Sequence, residues 1–63
     1  MNFRVQFLDG SGSIIAELSA YAHSTKGAIV LTEGLDWPAG AERMQIVDES
    51  GREVYAQSMA DHR

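Results

Sequence analysis

Apolar and polar residues alternate with period two over Asn2–Leu8, where Phe3, Val5 and Phe7 share one side and Arg4 and Gln6 the other. That is the signature of a half-buried strand. A second strand is expected over Ser13–Ser19. The same sequence of features then recurs: RVQFLDGSGSIIAELS at residues 4–19 is nearly copied by RMQIVDESGREVYAQS at residues 43–58, with Arg4/Arg43, Gln6/Gln45, Asp9/Asp48, Ser11/Ser50, Gly12/Gly51 and Ser19/Ser58 in matching places. Each copy reads as strand, Asp-x-Ser-Gly turn, strand. Between them the period changes. Ser24 is a suitable helix N-cap, Ala28, Leu31 and Leu35 recur at helical spacing, and Gly34 suits the position after the last turn. The pattern predicts a helix of about three turns, roughly 16 Å long. Asp36-Trp37-Pro38-Ala39-Gly40 is then a loop, because Pro38 biases Trp37 away from helical backbone.

The expected fold is α+β: ββαββ, two β-hairpins forming a four-stranded, mainly antiparallel sheet with one helix on one face. Residues 1–63 make a single domain, with a polar tail over Ser58–Arg63 expected to fray. Strand order stays open. In the first hairpin, a two-residue Gly10-Ser11 loop of type II′ would oppose Phe7 to Ile14, Val5 to Ala16, Phe3 to Leu18 and Arg4 to Glu17. The second hairpin lacks Gly at position 49. A type I turn over Asp48–Gly51, with Gly51 left-handed, would oppose Ile46 to Val54 and Met44 to Ala56. Two similar sequences are thus expected to close with different turns.

A single helix leaves one sheet face uncovered. On these registers that face carries Leu8, Ile15, Val47 and Tyr55 among polar residues such as Arg4, Gln6, Glu17, Arg43, Gln45 and Glu53. These four, with Trp37, are the candidate interaction residues, since clustered exposed apolar side chains mark contact surfaces and Trp dominates interface hot spots. Trp37 has a second reading, as a plug folded back under the helix. A 63-residue chain without Cys has no disulfide to support a small core. Self-association through the uncovered face or a sheet edge is therefore expected.

Charge narrows the partners. Nine acids against five bases give −4, which disfavours nucleic acid; Arg4, Arg43 and Arg52 could form a stripe, but Glu17, Glu42 and Glu53 lie close to them. The opening MNFRVQF lacks the features of a secretory signal and the longest apolar run, Ala28–Leu31, is too short to span a bilayer, so a cytoplasmic location with no membrane contact is expected. No cofactor or metal is expected. Asp-x-Ser-Gly is turn chemistry, not a twelve-residue calcium loop. Gly10-Ser11-Gly12 opens a strand, not a phosphate-binding helix. His23 reads as an exposed loop residue, and His62, beside Asp61, sits in the expected tail. No paired acid and base or nucleophile elbow is visible, and an enzyme is not expected.

The pattern FLDGSG…GLDWPAGA…VDESGREV resembles small, functionally uncharacterised bacterial proteins of hairpin–helix–hairpin type. The resemblance implies the ββαββ fold and no activity. A looser topological similarity to the strand–strand–helix part of HicB-like antitoxins implies an antitoxin-like regulatory role, though no DNA-binding segment is evident here. The leading expectation is a non-enzymatic protein–protein interaction module acting as a homodimer, with an unidentified protein as a further partner. The alternative is a small-molecule binder with a pocket near the Trp37 loop.

Overall fold

The computed structural model describes residues 1–59. Four strands and one helix follow one another as β1 (Asn2–Leu8), β2 (Ile14–Tyr21), α1 (Thr25–Thr32), β3 (Arg43–Val47) and β4 (Glu53–Ser58). The strands form one open antiparallel sheet in the order β2-β1-β3-β4. β1 is antiparallel to both β2 and β3, so β2 and β3 run parallel with β1 between them, and the β2–α1–β3 connection crosses over β1. The expected α+β, ββαββ fold is present. Of the expected tail, Ser58 closes β4 and the Met59 amide donates to the Glu42 carbonyl at 2.8 Å; residues 60–63, including Asp61 and His62, lie outside the described residues.

Both hairpins close with one and the same turn. Gly12 N–H donates to the Asp9 carbonyl and Gly51 N–H to the Asp48 carbonyl, each at 3.0 Å. Asp9 N–H donates to the Ser13 carbonyl, as Asp48 N–H does to that of Arg52. Each Asp Oδ1 accepts three bonds: Asp9 from Ser11 N–H, Ser11 Oγ and Ser13 N–H, Asp48 from Ser50 N–H, Ser50 Oγ and Arg52 N–H. The chain leaves each turn through a glycine at positive φ, Gly12 at 88° and Gly51 at 86°, where a side chain would be strained. The type II′ turn expected in hairpin 1 is not formed. It needs positive φ at Gly10, and Gly10 has none. The Asp side chain, with its triple acceptor role, selects a type I turn followed by a left-handed Gly in both places.

A second irregularity follows in each hairpin. The register shifts between Phe7 and Leu8 against β2 and between Ile46 and Val47 against β4, leaving Ile15 and Val54 as the extra residues. The sequence repeat is therefore a repeat in space. Its two halves meet at the β1–β3 pair, where Gln6 stands opposite its own counterpart Gln45. A pseudo-twofold axis normal to the sheet passes through that pair.

These bulges correct both registers. In hairpin 1 the pairs are Phe7–Ala16, Val5–Leu18, Phe3–Ala20 and Gln6–Glu17, a slip of two residues from the expected set. Because side chains alternate with period two, Ala16 and Leu18 stay on the inner face. In hairpin 2 the slip is one residue: Ile46 pairs with Tyr55 and Gln45 with Ala56. One extra residue turns over everything beyond it, so Tyr55 and Gln57 face the core side instead of the uncovered side.

The core lies between the sheet and the segment over residues 22–41. Phe3, Val5, Phe7, Met44 and Ile46 supply the sheet side, and Ala22, Ala28 and Ala41 close it. Ser24 caps α1 as expected, its Oγ accepting from Gly27 N–H at 3.1 Å. The helix is shorter than expected, eight residues or about 12 Å. Its last turn tightens, with Glu33 N–H donating to the Val30 carbonyl and Leu35 N–H to that of Thr32. The buried pair is Ala28 and Thr32, while Leu31 is exposed. Thr32 is tolerated inside because its Oγ1 donates to the Ile29 carbonyl at 2.7 Å.

Candidate interaction surface

The uncovered sheet face is polar at its centre. Gln45 Nε2 donates to Gln6 Oε1 at 2.7 Å, and Gln6 Nε2 donates to Glu17 Oε2 at 2.6 Å. Arg43 Nη2 pairs with Glu53 Oε1 at 3.1 Å. Leu8 and Val47 do lie on this face, yet they are only 9% and 7% exposed. Both sit on central strands, Leu8 between Ile14 and Arg43, Val47 between Arg4 and Glu53, and long neighbours on both flanks shield a central side chain. Tyr55 has turned to the core side and packs against the core with Val54. Of the four expected outward residues only Ile15 is exposed. They form no common patch.

Trp37 is half-buried, and its ring meets Phe7 edge to face, centroids 5.7 Å apart at 65°. That is the plug geometry, worth about 0.5–1.5 kcal/mol beyond area burial. Pro38, next in the chain, starts a turn: Ala41 N–H donates to its carbonyl at 3.1 Å and Gly40 takes φ 88°. A shallow depression of about 270 Å³ is lined by Asn2, Phe3, Arg4, Ser19, Asp48 and Glu49 and shares no residue with the Trp37 loop.

Exposed apolar side chains collect elsewhere. Ile14, Ile15, Leu18 and Tyr21 on β2 and Val30 and Leu31 on α1 are between 38% and 64% exposed. Among the strands, α1 has its main contacts with β2, the strand that precedes it. β2 has an open edge because sheet order leaves it a neighbour on one side only. Its eight residues run about 27 Å, nearly the full 29 Å length of the protein. The exposed side chains do not share a sheet face. Leu18 opposes buried Val5 on the core side, and Tyr21 opposes Asn2 on the other. What they share is the edge. On the expected register Leu18 stands opposite Phe3 and Tyr21 lies beyond the expected strand; strand order and an eight-residue helix decide their exposure.

The backbone of this edge can be sorted by alternation. Ala22 N–H donates to the Met1 carbonyl at 3.1 Å. Stepping by two along the register makes Ala20–Phe3, Leu18–Val5 and Ala16–Phe7 the bonded pairs. Glu17, Ser19 and Tyr21 therefore aim their N–H and C=O groups away from β1, at the open side. β2 holds one charge, Glu17, and no Pro, Lys or Arg, the residues that ordinarily blunt an edge.

The two carboxyls that depart from their ordinary range, those of Asp9 and Asp48, have structural explanations. The Asp9 carboxyl is held below its ordinary value first by the Ser11 hydroxyl and then by the Ser13 amide; Asp48 is lowered by the Ser50 hydroxyl and then the Arg52 amide. Both shifts belong to the turns. His23 is exposed, its ring edge-on to Tyr21 at 5.9 Å. Among the described residues no cluster of three or more His, Cys, Asp or Glu could hold a metal ion, and no helix is long and apolar enough to cross a membrane. Comparison with known protein families, with characterised proteins and with solved structures finds no match.

Proposed function

We propose that this chain is a non-enzymatic protein-interaction module that acts as a homodimer, its contact surface the margin formed by β2 and the exposed side of α1. The observation that carries this reading is the concentration of six exposed large apolar residues on those two elements, around a strand with one charge. Burying each such side chain fully contributes on the order of 1.5–3 kcal/mol relative to exposure; half-exposed ones contribute less. A standard interface takes about 800 Å² from each partner, roughly a fifth of this protein's 4094 Å². An edge spanning the length of the molecule supports a contact of that size. The hydrogen-bonded Gln6–Gln45–Glu17 array makes the uncovered sheet face a poorer contact than the edge, because docking there would desolvate polar groups already satisfied.

Sedimentation equilibrium tests the reading at up to about 1 mM, where a contact of only about −4 kcal/mol is substantially populated. The protein is expected to be dimeric, and Ile15→Glu and Leu31→Glu to shift it toward monomer with unchanged far-ultraviolet circular dichroism. A monomer throughout that range would end the homodimer proposal.

A further inference from the structure

We infer that two copies join by antiparallel pairing of β2 with β2 of the second copy about a twofold axis through Leu18, producing one continuous eight-stranded sheet. This rests on the homodimer reading and specifies its geometry.

Glu17, Ser19 and Tyr21 present unpaired ladder positions at the open edge, and a second strand satisfies them without rearrangement. When identical antiparallel strands meet across a twofold axis normal to the sheet, one residue must stand opposite its own copy. The protein already contains this arrangement at Gln6–Gln45. For β2 the axis can pass through few residues. Centring on Glu17 would place two carboxylates directly opposite each other, which is repulsive. Centring on Ala16 sets the bulge at Ile15 next to the axis and pairs only residues 14–18. Centring on Ser19 pairs only residues 17–21. Centring on Leu18 matches residues 15–21 and keeps the regular stretch from Ala16 to Ala20 at its middle.

Side chains agree with that choice. Glu17 then faces Ser19 of the second copy, an acceptor beside a hydroxyl donor, and these are the positions whose backbone groups bond across the new seam. Leu18 meets Leu18 of the second copy at a non-bonded position, where Cα atoms approach to about 4.5 Å. Ala16 and Ala20 flank that contact and leave it room. Ile15 comes opposite Tyr21 of the second copy. The pattern is complementary to itself, which is why a second copy is the occupant and not an unrelated strand.

The chain has no Cys, so single-cysteine variants report the register on a clean background. Glu17→Cys, Leu18→Cys and Ser19→Cys are oxidised side by side, with sedimentation of the unmodified protein run in parallel. Leu18→Cys is expected to form disulfide-linked dimer at least about tenfold faster than the other two. Its Cα separation falls within disulfide range, whereas the diagonal separations of Glu17 or Ser19 from their own copies, about 7–8 Å, do not. In the unmodified protein, amide exchange at Glu17 and Ser19 is expected to slow about tenfold or more from dilute to concentrated solution, because those amides become bonded across the seam. A dimer in which Ser19→Cys or Glu17→Cys crosslinks fastest, or in which those amides are unprotected, would overturn this register and leave the module reading standing. A monomer at about 1 mM would remove both.

Discussion

Hairpin 1 and hairpin 2 have the same turn, the same Asp cage and the same bulge, and they are related by a twofold axis at Gln6–Gln45. Their outer strands nevertheless differ in role. β2 is the longer, and its bulge residue Ile15 and its Leu18 stay exposed; β4 turns Val54 and Tyr55 toward the core. Position by position the repeat sets Ala16 against Tyr55, Glu17 against Ala56 and Leu18 against Gln57. Where β2 has a large apolar residue at its open edge, β4 has an amide. Backbone geometry follows the shared turn residues, while the contact surface follows the few places where the repeat has diverged.

The comparison can be broken first at the core. Phe7 and Ile46 occupy equivalent positions and are 2% and 0% exposed. Phe7→Ala is expected to cost about 3–5 kcal/mol and Ile46→Ala about 2–5 kcal/mol, enough in a domain this small to shift most molecules to the unfolded state. Urea titrations check this, and one well-tolerated substitution beside one lethal one would show that the halves do not share the core equally. The turns come next. Gly12→Ala and Gly51→Ala force a side chain into positive φ with open space around it, so each is expected to cost about 1–2 kcal/mol through backbone strain alone. The turns lie at opposite ends of the sheet, and the double variant should be additive within about 0.5 kcal/mol.

Acid stability compares the same turns by charge. Each Asp carboxyl is lowered in the folded state from its ordinary value of 3.8, so the folded chain binds fewer protons there than the unfolded one. That contribution is complete above the ordinary value and is lost as pH falls through the lowered folded value. Asp9→Asn and Asp48→Asn should each flatten the acid limb of stability measured from pH 5 downward, and the double variant should flatten it most. Unequal flattening would show that only one cage is well formed in solution. The smallest effect on folding and the sharpest on the comparison is Leu18→Gln, which gives hairpin 1 the residue that hairpin 2 has at Gln57. Leu18 is 38% exposed, so stability should change by under about 1 kcal/mol. Dimer content in sedimentation should nonetheless fall well below that of the unmodified protein.

Much of the fold was legible in the residues. Alternation marked the strands, Ser24 and the helical spacing marked α1, and Asp-x-Ser-Gly marked both turns. The bulges at Ile15 and Val54 were not legible, since an inserted residue leaves no compositional trace in a strand. Their consequence was large for Tyr55, which changed faces, and nil for Leu18, where two irregularities cancelled. Leu8 and Val47 were placed on the correct face, but their burial depends on what flanks a central strand.

The amino-acid sequence by itself determined the local chemistry: strands from alternation, a cap from Ser24, and two turns from an Asp acceptor and a glycine free to take positive φ. These are contests among neighbouring residues, settled within a few positions of the chain. Tertiary structure alone decided the order β2-β1-β3-β4 and with it that β2 and β4 keep the open edges. The order depends on how the chain between β2 and β3 packs over β1 to enclose Phe3, Val5, Phe7, Met44 and Ile46. That packing joins residues far apart in the sequence, and it is why β2 keeps Ile14, Ile15, Leu18 and Tyr21 exposed.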